Sequence, residues 1–256
     1  MPGRSGFSIA AVVLLLASTT GTGPSGAPGS GIVDLAGLVD PLTGTGGHGH
    51  TYPGASLPFG MIQLSPDTRL SGWDGCSAYH YSDSVLYGFS HTHLSGTGCS
   101  DYGDILIMPV APSGMPAASD GGSGDPVPPG EGCPSRFRHE TEKTSPGYYS
   151  VMLDDCGVLA EMTVTARCGF HRYVFPEGGE AGLLIDLAHR DKVIDSGIWV
   201  SGPGEVEGFR RSQSWAKDQH VYFVARFSRP FRSCGILVDG QWKDDLRESR
   251  SGGLKQ

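Results

Sequence analysis

The sequence predicts an all-β fold of packed antiparallel sheets, a sandwich, and three observations carry that prediction. From Gly147 onward apolar residues recur with period two, the spacing that places them on one face of a strand. No stretch keeps apolar residues at i, i+3, i+4 and i+7 over three helical turns. Short apolar runs are bounded by Gly-Gly, Pro-Gly and Asp-Gly, the punctuation of strands joined by turns.

In chain order, Met1 to about Ser30 reads as an export signal and flexible leader. Arg4 supplies a positive start, Ile9 to Ala17 a short apolar core, and small residues follow from Ser18. That core is well short of the roughly 20 residues a spanning helix needs, so cleavage and no membrane association thereafter are expected. The destination is secreted or periplasmic. Residues 31 to 256 are expected to form the folded domain, interrupted by a Pro-, Gly-, Ser- and Asp-rich insertion near 111 to 135. Val158, Ala160, Met162, Val164 and Ala166 share one strand face, and Val221, Phe223, Ala225 and Phe227 share another. Ala181 to Leu187 and Gly235 to Val238 are shorter strands.

Composition excludes several classes. The net charge is -8, and no basic run marks a nucleic-acid partner. Asparagine is absent, so there is no N-glycosylation acceptor. Six cysteines suit an exported protein, and no CxxC pair points to a zinc ribbon or a thioredoxin-like site. If 158 to 166 form a straight strand, Cys156 and Cys168 stand roughly 35–40 Å apart, beyond disulfide reach.

The chemistry concentrates between Gly44 and Asp104, where five of the nine histidines lie beside Trp73, tyrosines and many glycines. Gly44 to Gly49 lacks the Lys-Ser/Thr ending and the helix of a phosphate loop. His48 with His50, and His91 with His93, have same-face spacing, so a metal site with Asp101 or Asp104 competes with hydrogen-bonding roles. A third reading is a sugar cleft. Trp73 stacks on a pyranose face while Asp74, His91, His93 and Asp101 hydrogen-bond to hydroxyls.

These residues also carry a resemblance. Gly44 to Asp104, Lys143 to Ser150, Gly169 to Tyr173, Ile185 to Asp191, Gly208 to Ser212 and Trp215 to Gln219 together resemble the N-terminal domain of glycoside hydrolase family 92, the secreted, calcium-dependent exo-α-mannosidases. The similarity runs from about Val33 to Phe231. It implies a galactose-mutarotase-like β-supersandwich, inverting hydrolysis of mannose-containing glycans, and a C-terminal helical barrel as partner. The barrel holds the catalytic carboxylates and most calcium ligands, so both are expected outside this chain, which alone is expected to be inactive. No catalytic or metal-ligating residue is assigned here. The Gly72-Trp73-Asp74-Gly75-Cys76 stretch matches the family's tryptophan-bearing pocket loop. The sugar-contacting set is accordingly Gly47, His48, Trp73, Asp74, Cys76, His91, His93 and Asp101. The alternative function is a stand-alone carbohydrate-binding module.

Overall fold

A computed structural model describes residues 34–110, 133–178, 181–238, 241–244 and 246–251. The expected export segment and most of the expected insertion lie outside these residues. The first strands are β1 (Ala55–Ser56), β2 (Gln63–Asp67), β3 (Val85–Leu86), β4 (Gly88–Ser90) and β5 (Leu106–Val110). Next come β6 (Ser135–Arg136), β7 (Lys143–Ser145), β8 (Tyr148–Leu153), β9 (Val158–Val164), β10 (Gly169–Val174) and β11 (Gly182–Asp186). The last are β12 (Lys192–Gly202), β13 (Glu205–Gln213), β14 (Gln219–Arg226), β15 (Gly235–Val238), β16 (Gln241–Asp244) and β17 (Glu248–Ser251).

The strands form three main sheets, in the orders β1-β2-β4-β5-β11, β10-β9-β8-β7 and β14-β13-β12-β17. Every pairing is antiparallel. The first sheet lies between two apolar cores. Met108 and Val110 of β5 join Leu64, Phe89, Tyr149, Val151, Ala160 and Met162 in one. Ile105 and Ile185 join Val206, Val221, Phe223 and Ala225 in the other. The register explains this division. Leu184 of β11 pairs with Met108 and Ile185 with Ile107, so alternate residues face opposite cores. Accordingly β5 is buried at every position.

The period-two expectation holds within β9 and β14, but Ala166, expected on the β9 face, is exposed because the strand stops at Val164. Val158, Ala160, Met162 and Val164 are buried in β9, while Thr163 is exposed. Val221, Phe223 and Ala225 are buried in β14, with His220, Tyr222 and Arg226 outside. Truncating a buried aliphatic side chain in such a core costs about 2–5 kcal/mol. Cys156 and Cys168 stand in the turns that precede and follow β9, at its two ends.

Two inward positions of β13, Arg210 and Ser212, depart from this apolar pattern. Arg210 is buried and forms an ion pair with buried Asp104. Its Nε donates to the Leu187 carbonyl at 3.0 Å and its Nη2 to the His189 carbonyl at 2.6 Å. Asp104 also accepts from Thr92 Oγ1 at 2.7 Å and from Gln219. A buried charge needs this many partners, because each lost contact leaves an ion without water. The network ties the third sheet to the loops leading into β5 and out of β11, which carry the residues described next.

Candidate functional site: an exposed tryptophan on three clasped loops

The site stands on three loops, residues 44–50, 72–76 and 96–102, and glycines shape the first two. Gly44, Gly47 and Gly72 all have positive φ, a conformation that costs glycine little. Trp73–Gly75 forms one 3-10 turn, which lifts the Trp73 ring out of the fold until it is 65% exposed. The far edge of that ring lies over the third loop at Gly98. A Cβ there would stand 2.4 Å from Trp73 Cη2, so only glycine lets the loop pass. His50 meets the ring edge-on, with centroids 4.9 Å apart and planes at 78°. The His50 carbonyl accepts from the Gly96 amide, closing the first loop on the third.

Asp74 stands beside the ring. Its Oδ1 accepts from His48 Nδ1 at 3.0 Å and lies 3.7 Å from His50 Nε2. The His48 hydrogen bond holds the Asp74 carboxyl below the usual carboxylate range, against a smaller opposing effect of desolvation. With Nδ1 committed to Asp74, Nε2 of the exposed His48 ring is left for solvent or a ligand. Gly47 lies in the same loop, and its carbonyl accepts from His80 Nε2 at 2.9 Å. The Ser82 amide donates to His80 Nδ1, which fixes that ring's tautomer with the proton on Nε2.

The other four expected contacts are not on this surface. Cys76 is buried, burial pushes its thiol pKa up, and its carbonyl accepts from Arg190 Nη2 at 3.3 Å. His91 is enclosed by a directed chain of hydrogen bonds. Its Nδ1 faces the Ile105 carbonyl at 2.6 Å, an acceptor, so the proton sits there and Nε2 accepts. His171 Nε2 then donates to His91 Nε2 at 3.0 Å, and His171 Nδ1 accepts from Tyr173 Oη at 2.8 Å. Burial drives both rings toward the neutral form that this chain requires, bringing His91 down to about 4. His93 donates through Nδ1 to the Gln63 carbonyl at 2.8 Å and through Nε2 to Asp67 at 2.7 Å. Asp67 also accepts from His189 Nε2 at 2.5 Å and from Ser90 Oγ. Burial alone would raise the Asp67 pKa, but the two histidines outweigh it and hold the carboxyl well below its usual range. His91 thus ties the first sheet to β10 of the second, His93 ties the loop after β4 to β2, and both rings are buried away from the Trp73 surface. Asp101 is likewise internal, at 4% exposure, with Oδ2 accepting from the Ala216 amide at 2.9 Å.

Two contributors were overlooked by the sequence-derived set. Arg190 reaches from the loop after β11 to the Gly75 carbonyl at 3.1 Å and to Ser100 Oγ at 2.8 Å, clasping the tryptophan turn to the third loop. Trp215 is 68% exposed at a turn docked on that loop, because Ser214 Oγ donates to the Ser100 carbonyl at 3.1 Å. Their signal was present in the Ile185 to Asp191 and Trp215 to Gln219 stretches.

A family model described as the glycosyl hydrolase family 92 N-terminal domain matches residues 38–255. The chain belongs to glycosyl hydrolase family 92, as its N-terminal domain. The family 92 domain superposes on a Bacteroides thetaiotaomicron family GH92 α-mannosidase in complex with mannoimidazole, with TM-score 0.74 and 36% identity. That match covers 84% of this chain and 29% of that one. A family GH92 inverting mannosidase from Bacteroides thetaiotaomicron VPI-5482 gives TM-score 0.70 at 27% identity, over 87% of this chain and 29% of its own. An uncharacterized secreted glycosidase of Arthroderma benhamiae is 32% identical over 161 residues, 60% of this chain and 20% of that protein. The family 92 domain thus spans under a third of the length of these relatives.

Proposed function

We propose that this domain forms the sugar-binding edge of an exported glycosidase acting on α-linked mannose. The observation that carries the reading is Trp73, an aromatic face held out to solvent by three loops, with a carboxylate and an imidazole at its rim. A pyranose presents an apolar face and a hydroxyl edge. Trp73 takes the face, while Asp74 and His48 Nε2 take hydroxyls, with Gly47 giving close backbone approach. The α-mannosidase relatives supply the choice of mannose.

Inverting hydrolysis needs two carboxyl groups about 6.5–9.5 Å apart, with room for water between them. Asp101 and Asp191 are both buried, so neither stands at the Trp73 surface. Asp74 is committed to His48. Following the family resemblance, the reading assigns the acid and base to a helical partner domain. Among the described residues no group of three or more His, Cys, Asp or Glu side chains is arranged to hold a metal. The reading assigns the ligands of the family's calcium to the same partner. Export rests on the Met1 to Ser30 segment and on the secreted relative. Among the described residues no helix is long and apolar enough to cross a membrane.

The test is Trp73→Ala, read by calorimetric binding of methyl α-mannoside and by thermal melting on the same preparation. Binding is expected to fall at least tenfold with melting unchanged, since loss of base- or sugar-like stacking on an exposed ring removes contact without opening a core. A stability loss of about 3–5 kcal/mol would mark Trp73 as a core ring and overturn the reading.

A further inference from the structure

We propose that Asp101 and Asp191 hold a single proton between them and act as a latch that positions the Trp215 turn against the loop beneath Trp73. Three elements meet at this pair. Asp101 Oδ2 accepts from the Ala216 amide at 2.9 Å, which fixes the turn that follows Trp215. Asp191 Oδ2 accepts from the Tyr102 amide at 2.9 Å, which fixes the third loop to the segment after β11. The Tyr102 amide thus sets the Asp191 carboxyl beside residue 101, where the buried Asp101 Oδ1 has no hydrogen-bond partner.

A hydrogen bond between two carboxyl groups requires a proton on one of them, because two carboxylates offer acceptors only. The remaining geometry agrees. Asp101 is 4% exposed, yet its Oδ1 has no hydrogen-bond partner. A buried carboxylate oxygen left in that state is costly. A proton carried by Asp191 satisfies it.

The charged neighbours do not supply the pairing instead. Arg210, from β13, gives its Nη1 to Asp104 and its other nitrogens to the carbonyls of Leu187, His189 and Asp191. Arg190 turns its Nη2 away, to Gly75, Cys76 and Ser100. His189, two residues before Asp191, gives its Nε2 to Asp67. Lys217, on the docked turn, is exposed. Tyr102 and Arg190, which flank the pair in sequence, are non-glycine residues with φ of 77° and 63°. Such backbone persists only where surrounding contacts hold it. Burial, reinforced by Asp101, raises the Asp191 pKa to about 7.

The sign of the pH dependence follows. The folded pair keeps its proton where an unfolded Asp191 has already lost it, from its ordinary 3.8 up to about 7. The latch contributes its full stability below the lower value, loses it progressively as pH rises, and contributes none above about 7. Asparagine at position 191 mimics the protonated member, donating through its amide to Asp101 Oδ1 while its oxygen still accepts from Tyr102. The experiment compares thermal melting of the full chain and its Asp191→Asn variant across pH 4 to 8. The difference isolates the pair, because His91 titrates in both proteins.

The variant is expected to match the natural protein near pH 4 and to exceed it by several degrees near pH 8. Carbon-detected NMR of the natural protein should show one aspartate carboxyl titrating near neutrality. A melting difference that does not change with pH, an Asp191→Asn variant that fails to fold at every pH, or no carboxyl titrating near neutrality would each overturn the proposal. So would calcium that raises the melting temperature of the natural protein but not of the variant, since the pair would then be cation ligands. None of these measurements uses a sugar, so they stand or fall apart from the mannoside reading.

Discussion

Two regions of this domain draw on the same short alphabet of histidine, aspartate and aromatic rings, and they come to opposite ends. In one, His91, His171 and Tyr173 pass hydrogen bonds in a single direction through the interior, with His93, His189 and Asp67 alongside. In the other, His48, Asp74 and Trp73 stand at the surface with one imidazole nitrogen and one ring face uncommitted. The difference is one of partners. A buried polar ring is tolerable only when each nitrogen is matched. An exposed one can leave a valence open, and the open valence is what a ligand uses.

The largest effect should come from breaking the buried region where a full charge is at stake. Arg210→Ala leaves Asp104 buried with only Thr92 and Gln219 to serve it. Urea unfolding should show a loss of about 3–5 kcal/mol. A loss below about 1 kcal/mol would mean that water reaches Asp104 and that the region is less sealed than its burial implies.

The next effect is smaller and depends on pH. Burial, with a lesser push from His93, lowers His91 from its ordinary 6.5 to about 4, against the opposing Ile105 hydrogen bond. The folded protein therefore refuses a proton that the unfolded chain accepts. Stability is complete above about 6.5 and is lost as pH falls toward 4. The term is of order 3 kcal/mol for His91 alone. Asp191 works in the reverse sense over nearly the same range, so the two mask one another in the natural protein. In the Asp191→Asn background the loss with falling pH from His91 and its partner ring His171 should stand clear of Asp191. A flat unfolding free energy between pH 6.5 and 4 in that variant would show that the rings are already charged when folded.

This comparison also shows what was legible in the sequence. The strands of the second and third sheets could be read because burial on one face imposes a period of two, as in Val158 to Val164. Trp73 and Asp74 could be placed at the surface because turn glycines flank them. His91 and His93 could not be sorted from His48 by local pattern, since His-x-His spacing gives a shared face but not whether that face meets water. Their burial is set by Ile105, Gln63, Asp67 and His171, residues 14 to 80 positions away in the chain or on another strand. Arg190 and Trp215 were missed for the same reason. Arg190 works against Gly75, and the Trp215 turn docks through Ser214 on Ser100, residues that only the folded chain brings near.

The smallest effect on stability belongs to the exposed region, and it sharpens the contrast. His48 touches Asp74 and is 89% exposed at its side chain, so His48→Ala opens no cavity and strands no buried group. Melting should move by no more than about 1–2 °C, as for surface substitutions elsewhere. The same change removes the largest influence on Asp74, whose carboxyl should then titrate closer to its ordinary 3.8. It also removes the Nε2 assigned to a sugar hydroxyl. Binding of methyl α-mannoside should weaken about two- to tenfold, the range of one hydrogen bond. NMR titration of Asp74 and calorimetry on this one variant therefore read two properties that a stability measurement does not see. If the Asp74 titration moves while affinity stays unchanged, His48 serves only to hold Asp74, and the hydroxyl contacts belong to Asp74 and the Gly47 backbone instead.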